Sequence, residues 1–215
     1  MVSPDFVPGL RASADYYDIS IKDVITLNPL KFSATPLRIA WIGSLEARKG
    51  LILLLEAVAR LRDPAGVYVD VFGDGPLRAQ LEERATTLGI SAQIQWRGHV
   101  SRQQVLDGLD QAHLHVVTGL NEGNPTSIWE ALGRSVPILA LDHCGMHDVV
   151  QLPYGLRVPV TGVEDTISAI ADALEQLLAA PERLEEMARS CATGPSVPRR
   201  SRHRRCAARR RPWGC

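Results

Sequence analysis

Hydrophobic residues from Leu37 onward alternate between short continuous runs and longer stretches of helical period. The short runs predict strands of a parallel sheet, because such strands are buried on both faces. The longer stretches predict the connecting helices. The predicted strands are Leu37–Gly43, Val67–Phe72, Ile94–Trp96, Leu114–Val117, Val136–Ala140 and Leu156–Val158. The predicted fold is α/β, a Rossmann-like parallel sheet flanked by helices.

Helices are predicted where apolar residues recur every three or four positions between these strands. Proline suits the first turn of a helix, so Pro76 is predicted at the first position of one helix. Asn124 and Pro125 are predicted as the N-cap and first position of another. The predicted helices are Leu51–Leu61, Pro76–Leu88, Gln103–Leu109, Thr126–Leu132, Val163–Leu178 and a shorter helix that begins at Pro181.

The chain of 215 residues is long enough for one substantial domain, which the pattern places at residues 37–192. Residues 1–36 carry one strand-like run between polar and proline-containing stretches, which indicates a linker or the remnant of a preceding domain. Residues 193–215 have clustered arginine, scattered proline and no periodicity, so they are predicted to be a disordered tail.

The formal charge of zero hides an asymmetry along the chain. Eight of the 24 basic residues lie between Arg199 and Arg211, and no acid follows Glu186, so the body carries 16 basic against 24 acidic residues. The favoured interpretation of the tail is an unstructured extension. Contact with nucleic acid or an acidic membrane, and an altered reading frame or artificial extension, remain alternatives. We expect no nucleic-acid partner.

Cysteine usage and the N-terminus predict a cytoplasmic protein. The four cysteines show no paired spacing, which argues against a disulfide framework or a zinc site. The first residues lack a basic segment followed by an apolar run, and no continuous apolar stretch reaches about 18 residues. Peripheral attachment at the inner face of the plasma membrane stays open.

Open α/β sheets bind ligands at the loops that follow the carboxyl ends of their strands. Five loops qualify here: Gly43–Gly50, Gly73–Pro76, Arg97–Ser101, Thr118–Pro125 and Asp142–Gly145. The helix predicted after Pro125 offers free backbone N–H groups and two hydroxyls, at Thr126 and Ser127, to the same cleft. Such a helix start suits an anion, because unsatisfied donors and the helix dipole act together.

Two acids bracket this helix start. Glu122 and Glu130 suit pairs of sugar hydroxyls, because a carboxylate only accepts hydrogen bonds. Lys49, on the first loop, can bring a positive charge to a diphosphate from the opposite side. A diphosphate joined to two sugars would satisfy the whole set. Taken singly, each acid has the alternative interpretation of a solvated surface residue.

Four segments resemble the C-terminal domain of family 4 retaining glycosyltransferases with the GT-B fold, over roughly residues 37–178. The acid pair in the last segment, with seven residues between its members, is among the more specific marks. The segments are Ile42–Gly50, Phe72–Pro76, Gln95–Gly98 and Asn121–Gly133.

The resemblance implies that the chain binds the nucleoside diphosphate sugar donor, as one half of a GT-B enzyme. Glu122 would hold the transferred sugar and Glu130 the ribose hydroxyls, and Lys49 would pair with the diphosphate. Lys49 and Glu122 are therefore the predicted catalytic residues. The predicted donor-binding residues are Gly43, Ser44, Arg48, Gly73, Asp74, Arg97, Gly98, Gly123, Asn124, Pro125, Thr126, Ser127 and Glu130.

No Asp-x-Asp sequence occurs in the chain, which favours neutralisation of the leaving group by lysine and helix dipole without a metal or other cofactor. One departure weakens the cation set: the family usually has arginine where this chain has Ser44, and Arg48 is the candidate substitute. The loop with Gly145 and Met146 is expected near the donor sugar. Metal binding by His143, Cys144 and His147 is a minor alternative.

Three functions remain open at this stage. The first is a retaining glycosyltransferase that acts on a saccharide or lipid-linked acceptor, with a further acceptor-binding domain or chain as partner. The second is a nucleotide-sugar-binding module that needs a separate acceptor subunit, and the third is a non-functional fragment. A nicotinamide-dependent Rossmann enzyme is disfavoured, because only the Gly73-x-Gly75 turn suggests it.

Overall fold

The computed structural model describes residues 36–192. The predictions of a linker or remnant before residue 36 and of an arginine-rich disordered tail fall outside the described residues. Six strands form one sheet, and all of its pairings are parallel. The strands are β1 (Leu37–Ile42), β2 (Val67–Phe72), β3 (Ile94–Gly98), β4 (Leu114–Val117), β5 (Ile138–Leu141) and β6 (Gly155–Val158). The predicted fold class is confirmed.

The strand order β3-β2-β1-β4-β5-β6 reverses direction between β1 and β4. The register pairs Ile39 with Leu114 and Ala40 with His115. Connections from β1 therefore run towards one edge of the sheet and connections from β4 towards the other. This topological switch point opens a crevice at the carboxyl ends of the two strands, where ligands bind in open α/β sheets.

Seven α-helices lie within residues 36–192. Short 3₁₀ turns at Ala47–Lys49, Pro64–Gly66 and Ser91–Gln93 complete the connections. The helices are α1 (Leu51–Ala59), α2 (Arg78–Thr87), α3 (Arg102–Gln111), α4 (Thr126–Leu132), α5 (Met146–Val149), α6 (Val163–Ala179) and α7 (Pro181–Ala192). None of these helices is long and apolar enough to cross a membrane.

The sheet is buried on both faces because successive side chains of a strand point in opposite directions. In β1, Ile39 and Trp41 belong to the cluster packed under α1, α2, α6 and α7, whereas Ala40 belongs to the cluster under α3, α4 and α5. The same alternation separates Val116 from Val117 in β4. Continuous apolar strands are the sequence signature of this two-sided burial.

The starts of two helices differ from the prediction. Pro125 has φ −68° and ψ 135°, so it is the extended N-cap of α4, and the helix begins at Thr126. Asn124 therefore does not cap the helix; its side-chain oxygen accepts a hydrogen bond from the indole nitrogen of Trp129 at 2.6 Å. Helix α2 begins at Arg78, two residues after Pro76. The turn around Pro76 is instead fixed by Leu77, which donates from its backbone to Leu45.

Candidate functional site

The loops that follow β1 and β4 are joined at the switch point by two hydrogen bonds. The backbone N–H of Leu120 donates to the carbonyl of Arg48 at 2.8 Å. The hydroxyl of Thr118 donates to the carbonyl of Lys49 at 2.9 Å. Gly50 lets the loops approach, because a Cβ at this position would overlap the carbonyl oxygen of Thr118. These contacts hold the two loops in one arrangement.

Lys49 and Glu122 meet across the crevice. The ammonium nitrogen of Lys49 contacts a carboxylate oxygen of Glu122, forming an ion pair. The two side chains are 19% and 12% exposed, so the pair is largely shielded from solvent. Gly119 permits the position of Glu122, because a Cβ on Gly119 would overlap the Cγ of that acid. The two residues predicted as catalytic are thus brought into direct contact.

The loops after β1 and β2 form the second part of the crevice wall. Gly43 donates from its backbone to Phe72 at 3.0 Å, and Leu45 donates to the carbonyl of Asp74 at 2.9 Å. Gly73 has φ +144°, and a Cβ there would overlap the carbonyl oxygen of Gly43. Ser44 lies between these contacts and is half-buried. Gly43, Ser44, Gly73 and Asp74, four of the five predicted donor-binding residues of these loops, therefore share one wall.

The loop after β5 packs against the predicted sugar-binding segment. Gly145 donates from its backbone to the carbonyl of Glu122 at 3.2 Å. A Cβ on Gly145 would overlap the carbonyl oxygen of Gly123. A Cβ on Gly123, in contrast, would meet no atom within 4 Å, and Gly123 is exposed. The space over Gly123 is therefore open to a ligand, whereas Gly145 packs closely against the Gly123 carbonyl. Met146, which was expected near the donor sugar, is buried in the core.

The side chain of Ser127 turns away from the crevice, which corrects the prediction that two hydroxyls point into it. The oxygen of Ser127 lies 3.1 Å from Nε2 of His115, inside the core. Its backbone N–H, at the start of α4, keeps no partner at position i−4 within the helix. Thr126 is exposed. The start of α4 therefore offers the crevice backbone N–H groups and one hydroxyl.

His115 is fully buried between β1 and α4. Its Nδ1 lies 3.0 Å from the carbonyl oxygen of Ala40, which can only accept, so Nδ1 carries the hydrogen and Nε2 accepts from Ser127. Burial lowers the pKa of His115 to about 4, although the hydrogen bond to Ala40 acts in the opposite direction. His115 is therefore neutral near pH 7 and fixes the hydroxyl of Ser127.

Three of the remaining predicted residues are held by ion pairs. Arg102, at the start of α3, donates from Nε to Glu130 at 2.8 Å, and the Glu130 side chain is 9% exposed. Arg97 donates from Nε to Asp70 at 2.7 Å. The predicted substitute cation Arg48 donates from Nε to Glu46 at 2.8 Å. Gly98 accepts a backbone bond from Gly73 at 2.9 Å, which joins the ends of β2 and β3.

The histidines and the cysteine after β5 do not converge on a metal site. His147 places Nδ1 2.9 Å from Asp142, and Arg157 lies 3.5 Å from the same carboxylate oxygen. Cys144 has φ +50° and its sulfur lies 4.0 Å from the carbonyl of Leu120. Across residues 36–192 no group of three or more His, Cys, Asp or Glu side chains is arranged to hold a metal ion.

Four residues that shape the site were missed from the sequence. Trp41 lies inside an apolar run, where it is indistinguishable from a core residue, whereas His115 lies within the predicted strand Leu114–Val117 and Thr118 directly follows it. Arg102 follows a serine in a polar segment and carries no motif. The one available signal is that His115 and Thr118 are polar residues in or next to a strand predicted to be buried on both faces, since buried polar groups need partners.

The strand order and the reversal at the switch point define a Rossmann-like, doubly wound α/β domain. Its structural neighbours are GT-B glycosyltransferases, among them the pneumococcal O-GlcNAc transferase GtfA in complex with UDP and GlcNAc. That likeness covers 74% of this chain and 32% of GtfA, with a TM-score of 0.67 and 21% identity. Residues 27–191 match the family described as glycosyl transferases group 1. The chain belongs to this family.

Two curated relatives show the extent of the similarity. The putative teichuronic acid biosynthesis glycosyltransferase TuaC of Bacillus subtilis is 35% identical over 107 residues, which are 49% of this chain and 25% of TuaC. The α-D-kanosaminyltransferase of Streptomyces kanamyceticus is 28% identical over 161 residues, which are 74% of this chain and 41% of that enzyme. The chain thus spans well under half the length of either relative.

Proposed function

We propose that this chain is the donor-binding half of a family 4 retaining glycosyltransferase of the hexosyltransferase type. It would transfer a sugar from a nucleoside diphosphate sugar to a saccharide or lipid-linked acceptor. The observation that carries this proposal is the meeting of Lys49 and Glu122 at the switch point, beside the open backbone of Gly123. A cation and an acceptor of hydroxyl protons lie together where a diphosphate joined to a sugar would be placed.

The leaving group of this reaction is a nucleoside diphosphate, whose developing negative charge must be stabilised. Lys49 supplies a positive charge on one side of the crevice. The backbone N–H groups of Thr126 and Ser127 supply donors on the other side. Preorganised donors of this kind are each worth about 3–4 kcal/mol in transition-state stabilisation. The proposal assigns the charge to these groups and to no metal or other cofactor.

The two acids have separate roles in the proposal. Glu122 accepts from hydroxyls of the transferred sugar, next to the backbone of Gly123, Asn124 and Pro125. Glu130 accepts from the ribose hydroxyls and exchanges part of its contact with Arg102 for them. Since Arg102 and Glu130 join α3 to α4, ribose binding would connect the two helices through a shared carboxylate.

The base is proposed to lie towards β2 and β3. Gly73 and Asp74 begin the loop after β2, and Gly98 continues the same wall. Arg97 is 43% exposed on its side chain while it pairs with Asp70, so its remaining N–H groups can reach a base or ribose. Gly43 and Ser44 lie between this wall and the diphosphate position.

The acceptor side is proposed from the relatives and from the GT-B architecture. The names of TuaC and of the Escherichia coli relative WcaL refer to teichuronic and colanic acid biosynthesis. A GT-B active site lies between two α/β domains, so we propose that an acceptor-binding domain or partner chain faces the carboxyl ends of the strands. We further propose a cytoplasmic location, with peripheral contact to the membrane that presents a lipid-linked acceptor.

Calorimetry on the full chain tests the donor assignment. The ligands are UDP-glucose, UDP-N-acetylglucosamine, GDP-mannose and ADP-glucose, each titrated with and without EDTA. We expect one donor to bind, to be insensitive to EDTA, and to lose about tenfold or more in affinity in Glu130→Gln, whereas Glu83→Gln on the exposed face of α2 binds as wild type. Failure of every donor at millimolar concentration would defeat the proposal.

Turnover separates the enzyme from its main alternative. Release of nucleoside diphosphate with retained anomeric configuration, in the presence of a saccharide or lipid-linked acceptor, supports the transferase. Donor binding without turnover favours a nucleotide-sugar-binding module that needs a separate acceptor subunit. An inverted product would contradict the retaining assignment and leave donor binding intact.

A further inference from the structure

Lys49 and Glu122 form an ion pair that is largely shielded from solvent. Each is proposed to serve a different part of the donor: the ammonium serves the diphosphate and the carboxylate serves the sugar. A phosphate that binds Lys49 therefore shares this cation with Glu122 or draws it away from the carboxylate.

The surrounding backbone keeps this pair in place. The bonds from Leu120 to Arg48 and from Thr118 to Lys49 fix the two loops at 2.8 Å and 2.9 Å. Gly145 holds the carbonyl of Glu122 from the loop after β5. Rotation of the two side chains can therefore part the charges without breaking any of these backbone contacts.

The consequence differs between a complete donor and a bare nucleoside diphosphate. A sugar nucleotide brings phosphate oxygens for Lys49 and hydroxyl donors for Glu122, so both charges gain a new partner. A nucleoside diphosphate brings partners for Lys49 alone. It weakens the pairing of Glu122 with Lys49 and places additional negative charge beside the shielded carboxylate, and a shielded charge with poorer compensation is costly.

We propose that the Lys49–Glu122 pair selects the sugar-bearing donor over the nucleoside diphosphate product. Glu122 competes with the product for Lys49, which weakens product binding and favours its release. The same carboxylate strengthens donor binding, because it accepts hydrogen bonds from the sugar hydroxyls. This proposal rests on the donor site of the preceding section and adds to it a specificity-determining role for the Lys49–Glu122 ion pair.

The test compares paired ligands of one base in the full chain and in Glu122→Gln. The pair is UDP with UDP-glucose or UDP-N-acetylglucosamine, or GDP with GDP-mannose, whichever sugar nucleotide the wild type binds more tightly. Glutamine keeps the shape of Glu122 but removes its charge. We expect the affinity for the bare diphosphate to rise about three- to tenfold and that for the sugar nucleotide to fall, so that the preference for the sugar nucleotide over the bare diphosphate decreases or is reversed.

Two further variants make the result specific. Lys49→Gln should weaken both ligands, because it removes the diphosphate cation. Glu83→Gln changes the net charge equally at a remote exposed position and should leave both affinities unchanged. If Glu122→Gln does not fold, Glu122→Asp shortens the side chain by one methylene and should raise the affinity for the bare diphosphate by a smaller factor.

Two results would overturn the inference while the donor site stands. One is an equal loss of affinity for both ligands in Glu122→Gln, which would make the acid a uniform binding residue. The other is an unchanged affinity for the bare diphosphate in Glu122→Gln or, should that variant not fold, in Glu122→Asp. Failure of the wild type to bind any sugar nucleotide instead defeats the proposed function, and this inference with it.

Discussion

The indole nitrogen of Trp41 donates to the hydroxyl of Thr118 at 3.0 Å, and that hydroxyl in turn donates to the carbonyl of Lys49 at 2.9 Å. Trp41 and Thr118 are 2% and 1% exposed. The indole belongs to the core beneath α1, so the chain of bonds leads from the core directly to the loop that carries Lys49. The backbone position of Lys49 is therefore fixed by two buried polar groups, the Trp41 indole N–H and the Thr118 hydroxyl.

We expect Thr118→Val to lower both stability and donor affinity. Valine has nearly the shape of threonine but leaves the Trp41 indole and the Lys49 carbonyl unpaired, at a cost of about 1–3 kcal/mol for each buried group. Thr118→Ser keeps the hydroxyl and should recover most of the donor affinity. Urea denaturation measures the stability, and calorimetry with the tightest sugar nucleotide measures the affinity.

The serine variant decides the interpretation of that experiment. Serine lacks the methyl group of threonine, so a role in packing alone would leave Thr118→Ser less stable than Thr118→Val. Recovery by serine of the affinity but not of the full stability would identify Thr118 as a positioning residue for Lys49. Equal affinity in both variants would remove that role.

Gly123 and Gly145 form a matched pair for a second prediction. Gly123→Ala places a methyl group where no atom lies within 4 Å, so we expect an unchanged thermal midpoint and weaker donor binding. Gly145→Ala forces a methyl group into the carbonyl oxygen of Gly123, so we expect a lower thermal midpoint together with weaker binding. Thermal unfolding gives the midpoint of each variant, and calorimetry gives its donor affinity.

The two alanine variants show whether the surface at Gly123 is a ligand-binding surface. Should Gly123→Ala bind the sugar nucleotide as tightly as wild type, the space over Gly123 would not be occupied by the donor. An unchanged midpoint in Gly145→Ala would show that the loop after β5 yields to the methyl group without cost.

Two-sided burial made the sheet predictable from the sequence. Val67–Phe72 and Leu114–Val117 were predicted to the residue, because each is a mostly apolar run, interrupted only by Asp70 and His115 respectively. Lys49, Glu122 and Gly123 could be placed in one crevice because their loops all follow carboxyl ends of strands. Their assignment to a donor site stays a prediction that the binding experiments test.

Side-chain direction was not predictable in the same way. The sequence placed Ser127 at a helix start, but its hydroxyl points to His115, because a neutral buried imidazole needs a donor for Nε2. The start of α4 also moved, since Pro125 adopts an extended conformation and Asn124 bonds to Trp129. The first outcome depends on His115, which lies on another element, and the second on Trp129, which binds the Asn124 side chain in place of a helix cap. The local sequence pattern does not show either contact.

The buried His115 gives the protein a defined dependence of stability on pH. Its pKa falls from 6.5 to about 4 on burial, so between these values the unfolded chain binds the proton and the native state does not. Stability is therefore complete above about pH 6.5 and falls as the pH is lowered towards 4, by roughly 3 kcal/mol from this group. Protonation would also convert Nε2 into a donor and break its bond with Ser127.

We expect His115→Asn to lose less stability than wild type between pH 6.5 and pH 4. The asparagine amide can still donate to Ala40 but does not titrate. Even if the variant is less stable than wild type at pH 7, the difference between the unfolding free energies of the two proteins should therefore narrow as the pH falls from 6.5 to 4. His99→Asn, an exposed position, should keep the wild-type dependence. Urea unfolding at four or five pH values measures the slopes, and parallel curves for wild type and His115→Asn would contradict a neutral, buried His115.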